Sequence, residues 1–584
     1  MEKSQLALWL LFAGLLPSSE SRDATDADLE WWQKTIVYQI YPRSFQDSDG
    51  DGVGDLKGIT SRLAHLNYIG VEAVWLSPVY KSPMKDFGYD ISDHKDIDPI
   101  FGTLTDFDEL IAEAHNRGIK VIMDYIPNHT SDLHPWFQQS RENQEGPFSD
   151  YYIWNDGVWH SDGTRSPPNN WLSVFGGSAW EWDDTRQQYY FHQFLNEQPD
   201  LNFRNPLVRR EMKANFRFWC ERGVDGFRID AIGTLFETLD LKDEPRSNQS
   251  GVRPDEYEYL EHVYTANLPE IHGVVRGWRE ELDICAAKRG QHIFMVMEIY
   301  DPEQDEAMKY YYSGADLPFN FNLMMMPPEC GGSCIRAMVD KWLDKLPQGK
   351  WPNFVTGNHD QRRITTRKGP EYDRAMNMLL LTLPGTPTTY YGEEIGQRDI
   401  TVTYEETQDP WGRYYGPDLY IKYSRDPERA PMQWSSEKNA GFSTAEKCWL
   451  PVNKDYITRN VEKQKGDRKS VLEAYRSLSF LRRDPAFMNS KLHYAHTDDD
   501  IISYRRKESS SCGYLVIINL GSNESTKDYS SYISDCSLRA TIIQTTENIE
   551  LGKLDKGALV TLTNISLLPG QGVILRLENK HTEL

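Results

Sequence analysis

Eight short apolar runs, each followed by a longer amphipathic stretch, constrain this chain more than any other feature of its sequence. The runs fall at 35–42, 71–78, 120–127, 225–232, 292–300, 316–323, 353–360 and 388–395. Helical periodicity occupies the gaps, as at 104–117 and 206–222. Strands alternating with helices in this way pair in parallel, with the helices outside. Eight repeats predict a closed (β/α)8 TIM barrel, an α/β fold, whose site lies at the C-terminal ends of the strands. There the sequence gathers Asp124, Asn128, His129, Arg228, Asp230, Glu298, His359 and Asp360.

Two departures from the repeat mark further units. Residues 130–200 follow the third run and are rich in Trp, Tyr, Pro, Asn and Gly. They read as an inserted, irregular, loop-rich subdomain over the site, because a loop this long in a compact domain is usually functional. After residue 485 come short β-rich runs separated by turns, which predict a C-terminal antiparallel β-sandwich domain over 485–584. The barrel itself is assigned to 22–129 and 201–484.

The net charge of −24 argues against nucleic acid or an anionic membrane as partner, since both call for basic patches, and it suits a neutral substrate. The 17 Trp and 32 Tyr supply flat apolar faces with polar edges, suited to sugar rings as well as to cores. Residues 6–16 form an apolar run too short for a usual membrane span and read as a signal peptide over 1–21, so secretion is expected. No membrane anchor is evident downstream. The final His-Thr-Glu-Leu is similar to an ER-retrieval tetrapeptide, which leaves retention in the lumen as the alternative. Seven cysteines fit an oxidising compartment. Cys330 and Cys334 are natural partners across Gly-Gly-Ser, and Cys512 and Cys536 could pair within the C-terminal region. Cys220, on an apolar helical stretch, is expected to be a buried thiol. Sequons at Asn248, Asn523 and Asn564 suit a glycosylated surface; the one at Asn128 lies in the expected site and is not expected to be used.

The chemistry centres on 225–232, Asp-Gly-Phe-Arg-Ile-Asp-Ala-Ile. On a strand, Arg228 and Asp230 point the same way. An adjacent guanidinium keeps a carboxylate ionised, as a covalent nucleophile requires. Glu298 ends the apolar run Phe-Met-Val-Met-Glu, where desolvation favours the protonated form. Two carboxyls driven apart in this way form the acid and the nucleophile of retaining glycoside hydrolysis. A structural Arg–Asp pair and a structural glutamate are the plainer readings of the same residues. Asp360, in Gly-Asn-His-Asp, adds a third carboxylate. The alternating carboxylates and glycines of Asp47, Asp49, Asp51 and Asp55 form either a turn cluster or a loop for Ca2+, with Mg2+ as the alternative ion.

Six ordered motifs resemble the α-amylase family of glycoside hydrolases (family 13), and within it the insect-type maltase and α-glucosidase branch. They are Asp-Tyr-Ile-Pro-Asn-His at 124–129, Gln-Pro-Asp-Leu-Asn at 198–202, Gly-Phe-Arg-Ile-Asp-Ala at 226–231, Met-Glu-Ile at 297–299, Gly-Asn-His-Asp-Gln at 357–361 and Gly-Thr-Pro-Thr-Thr-Tyr-Tyr-Gly-Glu-Glu-Ile-Gly at 385–396. The resemblance implies Asp230 as nucleophile, Glu298 as acid/base and Asp360 as transition-state stabiliser. It implies His129, Arg228 and His359 against the bound glucose, Asp86 and Tyr89 closing the pocket, Phe175 as a wall and Arg425 facing substrate. It also implies a metal loop of Asp47, Asp49, Asp51, Asp55 and the Val53 carbonyl. Ala231, a small residue after the nucleophile, accompanies α-1,4 rather than α-1,6 preference in the family, which favours maltose-like or sucrose-like substrates. Arg362 stands where the family commonly has proline, with no evident catalytic consequence. The expected activity is that of a secreted exo-acting α-glucosidase. The alternatives are a non-catalytic heavy subunit of an amino-acid transporter, which shares the barrel, and an endo-acting α-amylase.

Overall fold

The computed structural model describes residues 29–580, apart from 489, 509–510 and 550–553. The expected signal peptide and the terminal tetrapeptide lie outside the described residues. All eight expected strands form: β1 Val37–Ile40, β2 Ala73–Leu76, β3 Lys120–Tyr125, β4 Gly226–Ile229, β5 Phe294–Met297, β6 Leu317–Pro318, β7 Asn353–Val355 and β8 Thr386–Tyr390. The last starts at Thr386 rather than 388, because Thr386 and Pro387 already pair with Asn353 and Phe354. The strands run parallel in the order β6–β5–β4–β3–β2–β1–β8–β7. β1, β2, β4 and β5 are buried along their whole length, as expected of strands covered on both faces. Among the described residues no ladder joins β6 to β7. The Asn353 side chain spans that seam instead. Its Nδ2 donates to the Pro318 carbonyl at 2.6 Å, and its Oδ1 accepts from the Asn320 N–H at 2.9 Å. One amide thereby serves both polar groups that a missing ladder leaves unpaired.

The outer helices follow from caps and apolar stripes. α1 (Leu56–Tyr68) starts where the Asp55 carboxylate accepts the Gly58 N–H. α2 (Leu104–Asn116) opens on a capping box of Thr103 and Asp106 and buries Phe107, Leu110, Ile111 and Ala114. α3 (Pro206–Glu221) pairs an Asn205 cap with proline at the first position, and α4 (Ile271–Arg289) packs beside it. That packing corrects one expectation. Cys220 on α3 is not a lone thiol but is bonded to Cys285 on α4. The partners are far apart in sequence and meet only because both helices flank β4. Cys330–Cys334 and Cys512–Cys536 form as expected, and the unpaired cysteine is Cys448, which is buried.

The stretch 130–200 is less irregular than its composition suggests. It holds a helix, Pro135–Glu142, and a three-stranded sheet of Trp154–Asn155, Gln188–Phe191 and Trp180–Asp183. Its small core is aromatic: Trp171, Trp180, Tyr189 and Phe191 around Ala179. The C-terminal region forms a six-stranded antiparallel sheet, with a two-stranded ribbon of Ser525–Lys527 and Ile565–Leu567 on one face. Strand β9 (Tyr514–Asn519) shows the period of two: Leu515 and Ile517 pack toward the ribbon, while Val516 and Ile518 join the barrel core. The expected sandwich is thus lopsided, with the barrel covering the sheet's second face. Asn248, Asn523 and Asn564 are exposed, as glycosylation requires. Asn128 is 1% exposed, and its amide donates to Asp200. Among the described residues no helix is long and apolar enough to cross a membrane.

Candidate active site

Arg228 on β4 is the centre of the site. Its side chain is 1% exposed and faces three carboxyls. Nη1 donates to Asp124 Oδ1 at 2.7 Å and to Asp230 Oδ1 at 2.6 Å, while Nη2 lies 2.6 Å from Glu298 Oε1. The parallel register makes this possible, since Arg228 stands opposite Asp124 on β3 and Val296 on β5. The sequence reading gave the arginine to Asp230 alone. The structure divides it three ways, and the Asp230 carboxyl is pushed well above its ordinary range. Burial is the largest cause; Glu298, Asp124 and Asp360 add to it against the pull of Arg228. Asp124 is likewise raised to about 6, by burial first. One guanidinium is divided among three buried carboxyls, and Asp230 and Asp124 both hold a proton more tightly than an ordinary carboxyl does.

Exposure separates the roles. The side chains of Asp230, Glu298 and Asp360 are 11%, 9% and 22% exposed, whereas Asp124 is at 0%. The three that the sequence named face the opening, and Asp124 lies behind them and orients Arg228. Asp360 has its own cations. Its Oδ1 accepts from Arg425 Nη1 at 3.3 Å and from Arg429 Nη2 at 3.0 Å. Burial alone would raise this carboxyl, but the positive charges of Arg429, Arg425 and Arg228 outweigh it and hold it below the usual carboxylate range, with His359 Nε2 3.4 Å from its Oδ2. Asp360 therefore stays ionised.

The remaining expected residues form a connected wall. Gln39 donates to His359 Nδ1 at 2.8 Å, which leaves Nε2–H for the Tyr89 hydroxyl at 2.6 Å; Tyr89 in turn donates to Asp124 at 3.0 Å. The Tyr89 and His359 rings are stacked. Burial keeps both histidines neutral: His359 lies well below its ordinary value and His129 is lowered to about 3. Gln198 bridges His129 and Asp86, with contacts of 3.1 and 3.3 Å. Arg425 closes the far side: Nη2 reaches Asp86 at 2.9 Å, Nε and Nη2 grip Asp409, and the guanidinium lies 5.1 Å from the centre of the Phe175 ring. Sequence reasoning missed Asp409, Arg429, Gln39 and Gln198 as site residues, and it noted Asp124 only as a strand-end carboxylate. Arg429 lies in the same arginine-rich stretch as Arg425, and Asp409 precedes Pro410 in a helix-cap pattern, so faint signals existed.

The 47–55 loop packs nearby. Oxygens of Asp47, Asp49 and Asp55 lie within 4.8 Å of one another. Asp51 is not part of that group; its Oδ1 accepts the Val53 N–H. Asp51 is nonetheless raised, by burial first and then by Asp49, Asp47 and Asp55. Converging oxygen donors of this kind are what a hard cation takes as ligands. Gly52 has φ +96°, and a Cβ there would meet the Lys447 carbonyl at 2.4 Å, so the loop accepts no side chain at this position.

This geometry agrees with the comparisons. Residues 39–490 match the alpha-amylase catalytic domain. The chain is 43% identical over 532 residues to Maltase 1 of Drosophila virilis, covering 90% of this chain and 84% of that one. It is also 42% identical over 558 residues to the amino acid transporter heavy chain SLC3A1 of Rattus norvegicus, covering 94% and 78%. The solved structure of the alpha-glucosyl transfer enzyme XgtA aligns at a TM-score of 0.82 and 36% identity, covering 94% of this chain and 99% of that one. The chain belongs to the α-amylase family of glycoside hydrolases, on its maltase and α-glucosidase side.

Proposed function

We propose that this α-glucosidase removes single α-D-glucose units from the non-reducing end of α-1,4-linked oligosaccharides, maltose and sucrose among its substrates, through a covalent glucosyl-aspartate. The observation that carries the reading is the shared guanidinium of Arg228, which holds Asp230 and Glu298 on adjacent nitrogens. Carboxyls held this closely suit double displacement, which needs a separation of about 5–5.5 Å, rather than inversion, which needs room for a water at about 6.5–9.5 Å. Asp230 attacks the anomeric carbon while Glu298 gives its proton to the departing oxygen. Water then enters, Glu298 takes a proton from it, the glucosyl–aspartate bond breaks and the α configuration is kept. Asp360, ionised beside two arginines, stabilises the developing positive charge. Arg425, bonded to Asp86 and Asp409 and lying against Phe175, supports a blind-ended pocket and hence exo action.

Secretion, glycosylation of Asn248, Asn523 and Asn564, and Ca2+ held by Asp47, Asp49 and Asp55 belong to the same reading. A bound Ca2+ would supply structural cross-linking, with Asp51 and the Val53 carbonyl as further oxygen donors from the loop. The similarity to the transporter heavy chain favours a second reading, a non-catalytic subunit. The two separate in one experiment: maltose, sucrose, isomaltose, trehalose and starch assayed with wild type and Asp230→Asn. Expected are turnover of maltose and sucrose by wild type, with α-glucose formed first, and a loss on the order of 10³-fold or more in the variant. A wild type inactive on both disaccharides, or a variant of full activity, would overturn the proposal.

A further inference from the structure

Arg362 stands two residues past Asp360, and its side chain reaches three points. Nη2 donates to the Ile421 carbonyl at 2.8 Å, Nε lies 3.9 Å from Glu428 Oε2, and Nη1 lies 4.0 Å from Asp399 Oδ2. The Glu428 and Asp399 side chains are 2% and 7% exposed, and those two oxygens have no hydrogen-bond partner among the described residues. Burial raises both carboxyls; Asp399 raises Glu428 further, while Arg362 and Arg429 lower it, and Arg363 and Arg362 lower Asp399. A buried carboxylate without a nearby cation is costly, so a guanidinium at this spot has an electrostatic task beyond its one hydrogen bond. Ile421 and Glu428 belong to a single segment, which runs from the short helix Tyr420–Tyr423 to Arg429. That segment also carries Arg425 and Arg429, the two arginines whose guanidiniums bond Asp360.

We infer that Arg362 is a positioning residue: its charge fastens the 420–429 segment to the strand end bearing Asp360 and so sets how Arg425 and Arg429 meet that carboxylate. This rests on the glucosidase reading. Asp360 acts on charge that develops in the transition state, so loosening the clip lowers kcat more than it raises KM. The test uses the full chain with Arg362→Lys, Arg362→Gln and Arg362→Ala, measuring kcat and KM on maltose together with thermal midpoints. Expected are a fall of about tenfold or more in kcat for the Gln and Ala variants, KM within about threefold of wild type, and recovery of most of kcat in the Lys variant. Lys and Gln both keep a donor for Ile421, so their comparison isolates charge even if the Ala variant fails to fold. Equal activity of Lys and Gln variants, a loss confined to KM, or wild-type activity throughout would overturn the inference. A wild type inactive on maltose would instead overturn the glucosidase reading on which it rests.

Discussion

Ala231 lies in the left-handed region, at φ 45° and ψ 40°, one residue past Asp230. A non-glycine residue there is strained by about 1–2 kcal/mol, and the strain has a visible use. The Ala231 N–H donates to Glu298 Oε2 at 2.9 Å, so the backbone just past Asp230 orients the Glu298 carboxyl. Ala231→Val places a branched side chain at a positive φ, and the peptide must rotate to accommodate it. The expected outcome is a lower ratio of maltose to isomaltose turnover; an unchanged ratio would separate this residue from linkage choice. Glu393 offers a second prediction. Its carboxyl is raised to about 7 from an ordinary 4.5, by burial first and against the opposing effects of the Tyr390 N–H, Arg363, Arg367 and Thr356. The unfolded chain gives up this proton near pH 4.5 and the folded chain near pH 7, so stability present below pH 4.5 is lost as pH rises to about 7, by about 3 kcal/mol. Glu393→Gln should remove that loss, and wild type and variant should diverge in denaturation midpoint between pH 4.5 and 7 and stay parallel above. Parallel midpoints across the whole range would refute it.

The elements that position the site were largely readable, because each barrel strand combines an apolar run with a polar residue at its end. The fourth run shows why: a period of two sends Arg228 and Asp230 to one side, and the register with β3 and β5 supplies Asp124 and Glu298. Contacts made by helix packing or by irregular segments were not readable in the same way. Cys220 and Cys285 carry no pairing signal in sequence; they meet because α3 and α4 pack side by side. Asp409 reaches Arg425 only through the turns that follow β8, where no periodicity places a side chain. The disulfide yields its own prediction. Closing a loop with a sequence separation of 65 stabilises the fold by about 4 kcal/mol in the chain-entropy account. The double variant Cys220→Ala, Cys285→Ala should unfold at a lower temperature with kcat unchanged. A fall in kcat equal to the loss of stability would show that the bond also shapes the site.

At the scale of the whole molecule, the 47–55 loop connects distant parts. The Gly52 carbonyl accepts the Trp449 N–H at 3.0 Å, and the Trp449 ring lies 4.9 Å from the Arg43 guanidinium and 5.4 Å from Phe87, the neighbour of Asp86 in the pocket. An ion bound to the native loop would stabilise the fold by about 2.7 kcal/mol at a hundred times its dissociation constant. Chelator treatment should therefore lower the unfolding midpoint, added Ca2+ should restore it, and Asp47→Asn should make the protein indifferent to both. A midpoint that ignores the chelator would reduce the loop to a turn cluster. The α3–α4 bond has a different kind of consequence. Between its two cysteines lies the stretch 239–255, most of whose residues are exposed. A protease that severs the peptide chain there leaves both fragments joined through sulfur. The molecule would migrate whole until reduced, with Asp230 and Glu298 on opposite sides of the cut yet still facing one arginine.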